Sequence, residues 1–103
     1  MRAFMIATAF ALTAATASTA VANQSKEQDC SYQAEVVAAI QQARIDRVKE
    51  ANVVEAIAAT NPEWPEKYNN IVPVLAGPIY DVKRRDLKNT DLGAQWKTAC
   101  IGS

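Results

Sequence analysis

Two cysteines, two pairs of arginines and a few carboxylates are the residues here whose types and spacing could do chemistry. Histidine is absent. Ser-His-Asp and Cys-His nucleophilic schemes are therefore impossible within the chain, as is histidine-ligated haem. The mature-region serines, Ser25, Ser31 and Ser103, lie near its ends, and Gly77, Gly93 and Gly102 form no phosphate-binding loop. Asp46 and Glu50 are spaced to share a helix face, and Glu63 and Glu66 flank Trp64-Pro65. A glycosidase would need two carboxylates across a cleft with divergent pKa values. Neighbouring carboxylates on short helices are ordinary surface features, and no EF-hand spacing is present. No catalytic residue, metal or cofactor is expected, and the protein reads as a non-enzyme.

Cys30 and Cys100 have neither CxxC spacing nor histidine beside them, so redox and zinc chemistry lack support. A structural disulfide is the expectation. Closing so long a ring would stabilise a small domain by about 4 kcal/mol in the chain-entropy account.

Arg44 and Arg47 fall inside the apolar arc of the first helix, between Val37, Ile40 and Val48. Buried charge is costly unless paired. Their stems could lie along the helix end with the heads in water. One could instead reach a carboxylate across the bundle, or line a pocket for an anionic ligand. Arg84 and Arg85 belong to a denser cluster with Lys83 and Lys88, interleaved with Asp81 and Asp86. That cluster reads either as a solvated helix end, with Asp81 and Arg85 paired at i, i+4, or as a docking patch for an acidic partner. Arg44, Arg47, Arg84 and Arg85 are thus the candidate interaction residues. Trp64, Tyr68, Tyr80 and Trp96 are expected in the core, with part of the set rimming a groove, because Tyr and Trp need partners for their polar atoms.

The elements that must position these residues are helical throughout; no strand-like alternation persists. The expected fold is all-α, a small bundle of four to five short helices closed by one disulfide. Asp29 is placed to cap a first helix over about Cys30 to Glu50, with Val36, Val37, Ile40 and Ala43 inward. Asn52 and Glu55 suggest a capping box for a second helix, ended at Asn61-Pro62. Pro65 suits the start of a third, whose stripe is Trp64, Tyr68, Ile71, Val72 and Leu75. Pro73 should kink it, and Gly77-Pro78 should break it. A fourth segment carries Ile79, Tyr80, Val82 and Leu87. Thr90 is placed to cap a last helix from Asp91 to Ile101, with Leu92, Trp96 and Ala99 buried.

Residues 1–22 read as a cleaved signal peptide: Arg2, an uncharged apolar stretch, then Ala20-Val21-Ala22. The run is too rich in Ala and Thr for a membrane anchor. Residues 23–28 are expected as a flexible N-terminal tail, and 29–103 as a single helical domain. The chain carries 11 Lys/Arg and 11 Asp/Glu, so no global field draws nucleic acid or an anionic membrane.

A cysteine opening a long helix, the polar turn Ala43-Arg44-Ile45-Asp46, the pair Ile79-Tyr80 and a final helix ending in cysteine come in that order. The order resembles uncharacterised families of short secreted bacterial helical proteins with a cysteine near each end. The resemblance spans nearly all of residues 23–103. It implies a periplasmic helical fold and no activity.

The expectation for function is a periplasmic or secreted binding or protein-interaction protein. Its partner would be another protein of the bacterial envelope, not nucleic acid, with no stable membrane insertion after leader cleavage. Two alternatives stand beside it. One is an immunity protein against a secreted toxin. The other is an acid-stress periplasmic chaperone, which would respond to pH through carboxylates.

Overall fold

One long helix organises the chain. A computed structural model describes the backbone of residues 10–103 and the side chains of residues 25–103. Residues 1–9 of the expected leader lie outside the described residues. Five α-helices and two 3₁₀ turns make up the described architecture, with no strand among the described residues. They are α1 (Phe10–Ile45), α2 (Val53–Ala58), α3 (Val72–Tyr80), α4 (Arg84–Leu87) and α5 (Leu92–Gly102). The 3₁₀ turns, Glu50–Asn52 and Glu66–Ile71, lead into α2 and α3.

The boundaries of α1 differ from expectation at both ends. It runs through residues 23–28, which are helical instead of an irregular tail, and Asp29 lies inside it and not at its start. The Asp29 carboxylate serves tertiary contacts instead. It accepts from Gln33 Nε2 at 2.9 Å and from the Tyr68 hydroxyl at 2.5 Å.

At the other end α1 stops at Ile45, short of Glu50. Arg47 adopts φ 67°, in the left-handed region. The Val48 amide donates to the Ala43 carbonyl at 2.9 Å and the Arg47 amide to that of Arg44 at 3.1 Å. These two bonds define a Schellman turn, in which the left-handed residue is usually glycine. Asp46 and Glu50 are therefore not on one helix face.

The core follows the apolar periodicity. Val36, Val37, Ile40 and Ala43 of α1 are buried against Val53 and Ile57 of α2. Trp64, Tyr68, Val72, Ala76, Ile79 and Leu87 complete it. The capping box at α2 does not form: Asn52 makes no side-chain cap, and the preceding 3₁₀ turn starts the helix instead. Pro73 sits in the first turn of α3, where a missing N–H is harmless, so it does not act as a mid-helix kink. Gly77-Pro78 does not break α3 either, which continues to Tyr80. Val74, whose carbonyl loses its partner at Pro78, is 69% exposed, so water can serve it in place of the lost bond.

The fourth segment is a single turn, so Asp81 precedes α4 and no Asp81–Arg85 pair forms. Asp91, not Thr90, caps α5, accepting from the Ala94 amide at 3.0 Å. Gly93 faces α1 so closely that a Cβ there would meet the Ala34 carbonyl oxygen at 3.0 Å. Trp96 and Ala99 are exposed, contrary to expectation, because the approach of α5 to α1 centres on Gly93. Cys30 and Cys100 are bonded, their Cα atoms 5.7 Å apart, which ties α1 to the end of α5. No described helix is long and apolar enough to cross a membrane.

Candidate anion-binding cleft

Two turns place the arginines. The Schellman turn carries Arg44 on the last turn of α1 and projects Arg47 just beyond it. Across from it, the turn joining α3 to α4 brings Arg84 back toward α1. Three side-chain hydrogen bonds hold these segments together. The Tyr80 hydroxyl donates to the Val48 carbonyl at 2.7 Å. Arg84 Nε donates to the Ile45 carbonyl, at the end of α1, at 3.1 Å. Arg44 Nε makes a longer contact, 3.4 Å, with the Val82 carbonyl. Arg44 and Arg84 thus each reach a carbonyl of the opposite segment. Cations at the α1 C-terminus also complement its dipole.

Between the segments lies an open cleft of about 350 Å³, lined by Arg44, Arg47, Val48, Lys49, Glu50, Tyr80 and Arg84. The Arg44 guanidinium carbon is 5.5 Å from the centre of the Tyr80 ring, within cation–π range. Burial pushes the Tyr80 hydroxyl above its ordinary pKa, with Arg44 pulling it down and Glu50 pushing it up. Four cationic side chains therefore face one carboxylate. None of the four forms an ion pair among the described residues; the pair present there is Arg85–Asp86, at 3.9 Å on the open surface.

Three of the four expected interaction residues are brought together, and Arg85 is not among them. Of the alternatives for Arg44 and Arg47, the pairing with a carboxylate across the bundle is not found among the described residues. Arg44 is half-buried, whereas Arg47 is exposed and outside the helix.

Tyr80, packed against the core and lining the cleft, is one of the aromatics that rim a concavity. Two features escaped the sequence reading. Lys49 and Glu50 join the cleft only because α1 ends early. Gln41, 8% exposed, is the buried polar residue among the described side chains. Its Nε2 donates to the carbonyls of Leu87 at 2.7 Å and Thr90 at 2.8 Å, and its Oε1 accepts from the Leu92 amide at 3.2 Å. That side chain fixes the α4–α5 connection. Its signal was a polar residue within the apolar arc of α1, the same signal that marked Arg44.

A second concavity, an apolar groove of about 430 Å³, lies between α1, α3 and α5, with Leu75, Ile79, Leu92 and Trp96 on its walls. The Trp96 indole N–H donates to Gln33 Oε1 at 3.0 Å. Among the described residues no group of three His, Cys, Asp or Glu is placed to hold a metal ion. Compared with known protein families, curated proteins and solved structures, the chain matches none.

Proposed function

We propose that the protein is a non-enzymatic binding protein of the bacterial envelope, exported by its leader and acting through contact with another envelope protein. The convergence of Arg44, Arg47 and Arg84 on one cleft without an acidic partner carries this reading. Unpaired cations in a concave, partly apolar site are poised to gain an interaction when an anionic group arrives. The Cys30–Cys100 bond is compatible with an oxidising, extracytoplasmic setting. Near-zero net charge argues for local recognition over long-range attraction of a polyanion. The test is affinity capture from periplasmic extract with the wild-type protein and an Arg47→Glu variant. Arg47 makes no side-chain hydrogen bond or ion pair among the described residues, so reversing it should leave the fold intact. A partner held by the wild type and lost by the variant supports the reading. Equal retention by both, or no partner for either, refutes it.

A further inference from the structure

We propose that the cleft is a carboxylate receptor that takes an acidic peptide segment of the partner, an inference that rests on the binding role above. The donor chemistry points there. In Arg44 and Arg84, Nε is engaged by a backbone carbonyl. The terminal guanidinium nitrogens have no hydrogen-bond or ion-pair partner among the described residues. Fixing Nε orients the fork before a ligand arrives, which lowers the ordering cost of binding. A planar fork matches the two oxygens of a carboxylate.

Phosphate sites commonly use a helix N-terminus or a nest of backbone amides. The C-terminal ends of α1 and α3 flank this cleft, the N-terminal ends there belong only to the three-residue 3₁₀ turn from Glu50 and to the single turn α4, and the amides of Arg47 and Val48 are committed to the turn. Helix C-terminal ends carry partial negative charge and disfavour a dianion more than a monoanion. Glu50 on the wall acts in the same direction.

The remaining lining favours a peptide over a free small anion. At about 350 Å³ the cleft is larger than one carboxylate needs. Val48 and the Tyr80 ring supply apolar surface for a methylene stem. The Tyr80 hydroxyl proton is already donated to Val48, so recognition falls to the cations. The carboxylate could belong to an acidic side chain or to a chain terminus, and the chemistry is shared.

The experiment is calorimetric titration of the oxidised protein at about 150 mM salt, where exposed charges are well screened. Four probes are used: an amidated, acetylated tetraglutamate; an acetylated tetra-alanine with a free C-terminus; its amidated counterpart; and inorganic phosphate. The variants are Arg47→Ala and Arg44→Lys, each checked by thermal melting. The lysine variant keeps the charge and removes the fork.

Saturable binding of a carboxylate peptide, weakened roughly tenfold by either variant, is the expected result. Binding of tetraglutamate alone assigns the side-chain source; binding of free-ended tetra-alanine assigns the terminus. Tighter binding of phosphate, binding of the amidated neutral peptide, or peptide binding unmoved by both variants overturns the proposal. If no peptide binds while capture from extract still depends on Arg47, the carboxylate assignment falls and the binding role stands. If both fail, both fall.

Discussion

Gln41 joins three backbone groups with one side-chain amide, and nothing else in the core resembles it. Replacing it with Leu keeps most of the volume but leaves the Leu87 and Thr90 carbonyls and the Leu92 amide without their partner. A buried polar group left unpaired costs about 1–3 kcal/mol, so Gln41→Leu should lose about 2–3 kcal/mol in urea unfolding. A loss below about 1 kcal/mol would mean that water replaces the amide. Arg47 works in the opposite direction. Its left-handed φ of 67° costs an L-residue about 1–2 kcal/mol, of which glycine recovers part after its own larger entropy loss. Arg47→Gly should therefore raise stability by about 0.5–1 kcal/mol while weakening the cleft, and a destabilised variant would show that the arginine stem packs usefully. That Arg44 matters was visible as a charged residue in an apolar arc; Gln41 gave the same signal in the same arc but was passed over. What they touch was not visible. Their partners are backbone carbonyls and one backbone amide, 38 to 51 positions away, whose directions are set by tertiary packing of irregular turns.

Helix content was readable from periodicity, and so was the inward set Val36, Val37, Ile40 and Ala43. Helix ends were not, for identifiable reasons. The stop at Ile45 uses an arginine where glycine is the ordinary signal. Gly77-Pro78 reads as a break, yet it lies on an exposed part of α3 where water tolerates the missing bond. The orientation of α5 was misread because a large indole outweighs a glycine in any apolar tally. Gly93 is the residue that sets the approach of α5 to α1. A methyl group there would stand 3.0 Å from the Ala34 carbonyl oxygen and 3.4 Å from the Ala38 Cβ. The first neighbour is helix backbone and cannot swing aside, so α5 must shift outward. Gly93→Ala should cost about 1–3 kcal/mol, despite alanine's better helix propensity. Gly102 has open space around its Cβ position, so Gly102→Ala is the control and should be neutral or slightly stabilising. Equal effects at both positions in thermal unfolding would show that α5 has room to move.

Two links close the molecule between its distant parts, and they sit side by side on α1. One is the Tyr68–Asp29 hydrogen bond. It and burial push the Tyr68 hydroxyl up to about 12 from its ordinary 10.0. With the folded value raised, the contribution is complete below the unfolded pKa of about 10 and is lost as pH climbs toward 12. The urea midpoint should fall between about pH 10 and 12. Tyr68→Phe should start lower and fall less over the same interval; parallel curves would assign the alkaline loss elsewhere. The other link, one residue along, is Cys30–Cys100. It spans 70 positions and so encloses α2, α3, α4 and nearly all of α5. Cys30 is 1% exposed and Cys100 half-buried, so reductant should attack at the Cys100 sulfur. Without the bond, α5 relies on its packing at Gly93, the Asp91 cap and the contacts of Trp96 and Lys26 with Gln33 and the Ser103 carbonyl. Those polar contacts are exposed and individually weak. A ring of this length stabilises by about 4 kcal/mol in the chain-entropy account, and each kcal/mol moves the melting temperature of a domain this small by about 4–8 °C. The double variant Cys30→Ala/Cys100→Ala should therefore melt roughly 15–30 °C below the oxidised protein. Reduced wild type should melt close to the double variant, because both lack the cross-link and differ by two small side-chain changes. A drop of under about 5 °C would show that the Gly93 approach and the Gln41 clamp hold the last helix unaided.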